Sequence, residues 1–153
     1  MCGIAGVFDP TRSPSSAILD DMNACQSHRG PDGGGTHIDG PVGLAHRRLA
    51  IIDPESGHQP LFNEDGSVCV VFNGEIYNHA ALREELSSRH TLSTDADTEV
   101  LVHLYEEHGP SFVERLDGMF AFALWDAARE RLVLARDRMG IKPLVFARDG
   151  DQF

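Results

Sequence analysis

The run Met119-Phe120-Ala121-Phe122-Ala123-Leu124-Trp125, followed after Asp126-Ala127-Ala128-Arg129-Glu130 by Arg131-Leu132-Val133-Leu134-Ala135, decides the fold. Both runs are apolar and of strand length, and the five residues between them are too few for a crossover helix. They predict a β-hairpin, and with it an antiparallel sheet. Outward from there, residues 3–8 read as a short buried strand closed by the turn Asp9-Pro10. Residues 42–52 and 68–73 are rich in β-branched and apolar side chains and predict two more strands, with turn formers over residues 53–66 between them; residues 144–147 predict a last strand. Helices are expected over residues 15–28, with Ala17, Ile18, Met22 and Cys25 inward behind a capping Ser15, and over residues 79–89 behind Asn78, with Leu82 and Leu86 inward. A third, capped by Asp95 or Asp97, carries Val100, Leu101 and Leu104, and a short helix starts at Pro110 and runs to about Leu116. Arg29-Gly30-Pro31-Asp32 and the glycines Gly33-Gly34-Gly35 read as a loop. The order of strand, helix, strands, paired helices and strands predicts α+β layers with mostly antiparallel sheets rather than alternating βαβ units.

Length and charge narrow the function. At 153 residues the chain fits one domain able to bury a core. With 41% hydrophobic and 24% charged residues it has the composition of a globular protein rather than a disordered one. Its 13 basic residues, set against 24 acidic ones for a formal charge of −11, are scattered, which argues against nucleic acid and against an anionic membrane surface as partners. No apolar run reaches membrane-spanning length and no signal peptide is recognisable, so a cytoplasmic location is expected. Cys2, Cys25 and Cys69 are odd in number and widely spaced, so at least one thiol is expected to be free. Among the eight histidines, His103 and His108 stand five apart, off one helical face. No His-x-x-x-His or Cys-x-x-Cys spacing occurs, and no metal is expected. A phosphate-cradling Gly-x-x-x-x-Gly-Lys loop is also missing.

Cys2 is the first chemical candidate. Removal of Met1 would leave a thiol and an α-amine on one residue, and an amine titrating at about 7.7–8.0 can accept the thiol proton. The competing reading is a small buried cysteine, and position alone leaves the two undecided. Asn73-Gly74 could supply a side-chain amide and a backbone N–H to an oxyanion, although Asn-Gly is also the strongest short turn signal and is favoured as a turn. Arg48, in an otherwise apolar segment, suits a carboxylate, from a ligand or from a neighbouring Asp or Glu. Asp97 could be a helix cap and nothing more, and Glu75 could be solvated.

Taken together, Met1-Cys2-Gly3-Ile4-Ala5-Gly6, His28-Arg29-Gly30-Pro31-Asp32, Arg48-Leu49-Ala50-Ile51-Ile52-Asp53, Gln59-Pro60-Leu61 and Asn73-Gly74-Glu75-Ile76-Tyr77-Asn78 resemble a known family. Asp97-Thr98-Glu99-Val100, Asp117-Gly118-Met119-Phe120-Ala121-Phe122-Ala123 and residues 136–144 continue the likeness in the same order. The family is the class II glutamine amidotransferase domain, an N-terminal-nucleophile hydrolase, as found at the front of glutamine-hydrolysing asparagine synthetases. The resemblance implies a four-layer αββα sandwich spanning residues 2–153. It implies Cys2 as nucleophile, Asn73 and Gly74 as oxyanion hole, and Arg48 on the α-carboxylate of glutamine. Glu75 and Asp97 would hold the α-ammonium, backbone groups at Leu49 and Ile51 would touch substrate, and Arg29 would order the loop beside the nucleophile. Ala96 departs from the serine common at that place, a change of one hydroxyl. No Ser-Gly-Gly-x-Asp-Ser pyrophosphate loop occurs, so the ATP-dependent synthetase domain is absent, and the domain is expected to be truncated at its C-terminal end. The glutaminase step needs no cofactor; ATP and Mg belong to the missing domain of the same longer chain. A missing strand would leave an open sheet edge, which makes a homodimer one expected assembly. The rivals are an amidotransferase with another carboxylate acceptor, a degenerate scaffold domain, and a Cys/His metal protein.

Overall fold

A computed structural model describes residues 1–50 and 56–153. The hairpin forms as expected: Gly118–Asp126 (β6) and Arg131–Arg136 (β7) pair antiparallel with Asp126 opposite Arg131. β6 also pairs along its length with Val68–Ile76 (β5), which in turn holds the two-residue strand Leu61–Phe62 (β4). The second sheet places Val42–Arg48 (β3) between Gly3–Phe8 (β1) and Gly33–Asp39 (β2), again all antiparallel.

Side-chain alternation along β5 explains the layering. Val68, Val70, Phe72 and Ile76 pack with Val100, Leu101, Leu104, Tyr105, Phe112 and Phe122 into a core beneath helices His79–Leu86 (α2) and Glu99–His108 (α3). Cys69 and Val71 point the opposite way and meet Val42, Leu44, Ala123 and Trp125 between the sheets. Helix Ser16–Cys25 (α1) covers the outer face of β1, β2 and β3. The layers are therefore helix, sheet, sheet and helices, and Trp125 Nε1 ties the sheets by donating to Asp39 at 2.7 Å.

Several expectations are corrected. Gly33-Gly34-Gly35 lies in a strand rather than a loop, and Gly35 serves packing: a Cβ there would run into the Gln59 carbonyl. Residues 144–147 form no strand; they pair with none among the described residues, and Val145 and Phe146 face solvent. In α1 the buried residue is Leu19, while Ala17, Ile18 and Cys25 are exposed. The packing stripe continues through half-buried Met22 and Gln26, whose amide donates to the Ile4 carbonyl. Neither Ser15 nor Asn78 caps its helix through its side chain; the Asn78 amide instead bridges the Arg115 carbonyl and the Asp117 N–H. The short helix is a 3-10 helix, Gly109–Arg115.

Glu99, at the head of α3, fixes the loop that carries Asp97. Its buried carboxylate accepts from the N–H and hydroxyl of both Ser93 and Thr94 and pairs with Arg83 at 3.2 Å. Burial opposes its ionisation, but those donors outweigh burial and hold the carboxyl below its ordinary value. With the folded pKa lowered, its stabilisation is complete above the unfolded value of about 4.3 and is lost as pH falls through the folded one. Glu99→Gln is expected to cost about 2–3 kcal/mol at pH 7, and the gap to the unmodified chain to narrow in acid, as measured by urea unfolding at both pH values. A gap independent of pH would assign the loss to shape rather than charge.

Candidate active site

The same alternation builds the site. On β1, Ile4 and Phe8 face between the sheets, so Cys2 shares their side. On β3, Val42 and Leu44 face inward and His46 and Arg48 follow at the same period; on β5, Cys69 and Val71 are followed by Asn73 and Glu75. Gly3 lies opposite Arg47, which puts Cys2 level with Arg48 at one end of the sandwich. There Cys2, Arg48, Leu49, Asn73, Gly74, Glu75 and Asp97 line a single pocket of about 100 Å³, sized for a small molecule rather than a polymer.

Cys2 is half-buried. The Leu49 N–H donates to its Sγ at 3.4 Å and its own S–H reaches the Leu49 carbonyl at 3.7 Å, so the Leu49 main chain fixes where the sulfur sits. Arg29 Nε donates to the Cys2 carbonyl at 3.0 Å, which holds the residue's main chain in place. Asn73-Gly74 is not a turn: both residues are mid-strand, opposite Ala121 and Phe120. Gly74 is required by close approach, since a Cβ there would meet the Met119 carbonyl oxygen and come within 2.8 Å of Phe120 Cα. Arg48 and Asn73 are buried, and Asp97, which was a possible cap, instead accepts the Ile76 N–H on Oδ2 at 2.8 Å. Burial, reinforced by the charge of Glu75, raises the Asp97 carboxyl above its usual range against the pull of Ile76 and His79. Two acidic groups thus stand in one pocket wall with a guanidinium in the same lining, a charge pattern fitted to a zwitterion. His46, beside Arg48, is pushed down to about 4 by burial, so it adds no charge to the Arg48 guanidinium. Ile51 lies outside the described residues.

Sequence reasoning missed Gln59. Its Oε1 accepts the Phe72 N–H at 2.6 Å and its amide reaches Thr98 Oγ1 at 3.4 Å, so it joins the strand that carries Asn73 to the loop that carries Asp97. It also missed Lys142 and Thr98 in the pocket wall. All three fall inside the family-like motifs, and that was the available signal. Far from the pocket, the fold also brings together Glu64, His90, His103 and Glu106, a grouping that no short-range spacing reveals.

Fold, site and family profile define a glutamine amidotransferase type of domain. Two solved structures share the architecture: glutamine phosphoribosylpyrophosphate amidotransferase from Bacillus subtilis aligns over 99% of this chain and 40% of its own, with a TM-score of 0.73 at 22% identity. A second, described as the allosteric regulatory enzyme of purine biosynthesis, gives 0.74 at 20% identity over 99% of this chain and 40% of its own. The chain belongs to the glutamine amidotransferase domain family, whose profile matches residues 1–153. Asparagine synthetase [glutamine-hydrolyzing] 3 of Arabidopsis thaliana is 52% identical over 147 residues, 94% of this chain and 25% of that protein. Asparagine synthetase [glutamine-hydrolyzing] 2 of Bacillus subtilis (strain 168) is 47% identical over 150 residues, 95% of this chain and 20% of that protein. The chain thus spans a quarter or less of the length of these relatives. Among its described residues no helix is long and apolar enough to cross a membrane.

Proposed function

We propose that the chain is the glutaminase part of an asparagine synthetase, hydrolysing glutamine to glutamate and ammonia. The observation that carries this is the meeting of Cys2, Arg48, Asn73, Glu75 and Asp97, from four separate segments, in one small pocket. With Met1 removed, the Cys2 amine takes the thiol proton and Sγ attacks the side-chain amide carbon. The Asn73 amide and Gly74 N–H receive the developing oxyanion. The C–N bond breaks, the nitrogen takes up the proton, ammonia leaves and a thioester remains; water then adds, the thiol is restored and glutamate departs. Arg48 binds the α-carboxylate, Glu75 and Asp97 bind the α-ammonium, and main-chain groups at Leu49 and Ile51 complete the contacts, with Arg29 ordering the nucleophile's backbone.

This step uses no cofactor. The ammonia goes to a synthetase domain of the same longer chain, where ATP, with Mg, would activate the carboxylate of aspartate. The reading includes a cytoplasmic setting, no nucleic-acid or membrane partner, and a homodimer joined along the open edge of β7. Three free cysteines and the acidic surface support the first two. A monomer in size-exclusion chromatography would remove the homodimer.

The function is tested on the isolated chain. Intact mass should show loss of Met1, and glutamine should yield glutamate and ammonia in equal amounts; retained Met1 with no glutamate release would overturn it. Asp97→Asn keeps an oxygen for the Ile76 N–H but loses the charge facing the ammonium. KM for glutamine is expected to rise about 30-fold, a loss of about 2 kcal/mol, with a smaller change in kcat. In the unmodified chain KM rises as pH falls through the raised Asp97 pKa, because the protonated carboxyl no longer attracts the ammonium. Unchanged KM in Asp97→Asn would place the ammonium elsewhere.

A further inference from the structure

We propose that Glu64, His90, His103 and Glu106 form a binding site for a divalent metal of the zinc type, clamping the outer helical layer to the β4–β5 turn. His103 and Glu106 stand one helical turn apart on α3, His90 follows α2, and Glu64 sits in the turn after β4. His103 Nδ1 lies 3.2 Å from Glu106 Oε2 and 3.3 Å from Glu64 Oε2; His90 Nδ1 lies 3.2 Å from Glu64 Oε1 and 3.8 Å from Glu106 Oε2. Ligands about 2.0–2.2 Å from a tetrahedral zinc are separated by about 3.3–3.6 Å; three of the four spacings lie near that range, and one donor atom from each of the four side chains lies within 4.8 Å of the others.

The chemistry agrees with the geometry. Two imidazoles and two carboxylates are a borderline donor set of the kind zinc takes, whereas calcium and magnesium want oxygen alone. Among the described ion pairs, neither Glu64 nor Glu106 meets a Lys or Arg; the charged or chargeable partners of both carboxylates there are the two imidazoles. The neighbouring group of Glu85, Glu107 and His108 differs, because Arg89 and Arg115 already pair with its carboxylates.

An outer shell is also in place, and outer-shell groups orient ligands. His90 Nε2 lies 3.3 Å from Glu107 Oε1. The second oxygen of Glu106 accepts the Asn63 amide at 2.9 Å, and Glu64 accepts the Thr91 N–H at 3.0 Å. His103 is almost wholly buried, whereas Glu64 and Glu106 keep about a third of their side-chain surface open, which gives an ion a way in.

Titration calorimetry of the chelator-treated chain with zinc chloride tests the site. One zinc per chain, a rise in melting temperature, and tetrahedral visible bands with cobalt in its place are expected. Cys2→Ala should bind as the unmodified chain does, separating this site from the thiol of the pocket. Glu106→Gln should bind more than 10-fold more weakly and Glu107→Gln about 10-fold more weakly, with circular dichroism showing both folded. Failure to bind zinc at one equivalent, which would leave the cluster as imidazoles bonded to carboxylates, overturns the proposal. So does binding that Glu106→Gln and His90→Gln leave unchanged. Glutaminase activity enters none of these readouts.

Discussion

Cys2→Ala is expected to lower glutamate release from glutamine by about a million-fold, to background, because deleting the nucleophile of a covalent mechanism removes the route and not merely a contact. The fold should hardly notice. Cys2 is half-buried, and among the described residues its sulfur makes two weak hydrogen bonds, both to Leu49, so the substitution should cost less than about 1 kcal/mol. No other thiol can take over: burial pushes the Cys69 thiol up to about 12, and Cys25 is exposed on the outer helix α1. Glutamine should still bind, because Arg48, Glu75 and Asp97 are untouched; calorimetry on the alanine variant measures that binding without turnover. Unchanged glutamate release would overturn the nucleophile assignment. Lost release with lost folding would show that Cys2 is structural, the alternative that its position at the chain head could not settle.

Where pattern and packing agree, the sequence was readable. Strands β1, β3, β5, β6 and β7 carry apolar runs long enough to be recognised, and the five-residue connection after Trp125 made the sheet antiparallel before any register was known. The pocket was legible as separate motifs, but their convergence was not, since it depends on Cys2, Arg48, Asn73 and Glu75 all falling on the inter-sheet side. That follows only once the pairing of β1 with β3 and the packing of the two sheets are known. Failures came where local propensity and tertiary contact disagree. Three consecutive glycines look like a loop, yet they open β2, and Gly35 is needed there because the Gln59 carbonyl crosses at backbone distance. The buried stripe of α1 passes through Gln26, a polar residue that an apolar count skips. Asn78 and Asp97 have the chemistry of caps but spend it on the backbone of other segments. The cluster of His90 and His103 draws on three segments, so spacing rules written for one helix could not find it.

Asn73→Ala is expected to lower kcat by about 100- to 1000-fold, a loss of about 3–4 kcal/mol, with little change in KM. The amide is proposed to donate to an oxygen that carries charge only in the tetrahedral intermediate, so its deletion should be felt in the transition state and scarcely in the bound substrate. Geometry separates this residue from its neighbour. The Asn73 side chain enters the pocket from a strand whose ladder to Ala121 is made by main chain, and truncating it leaves that ladder intact. Gly74→Ala would instead force a Cβ against the main chain of Met119 and Phe120, prising β6 from β5 at a cost of about 3 kcal/mol or more. Steady-state kinetics and thermal unfolding on the two variants therefore distinguish chemistry from architecture: Asn73→Ala keeps its melting temperature and loses kcat, and Gly74→Ala loses melting temperature first. A rise in KM with kcat preserved in Asn73→Ala would move the amide from the oxyanion to ground-state binding. Asn73→Asp sharpens the test, since it keeps the size of the side chain but turns a donor into an anion facing an anion, and it should be slower than the alanine variant. If the aspartate variant matched the unmodified chain, the oxyanion would have to be held by Gly74 and some other donor.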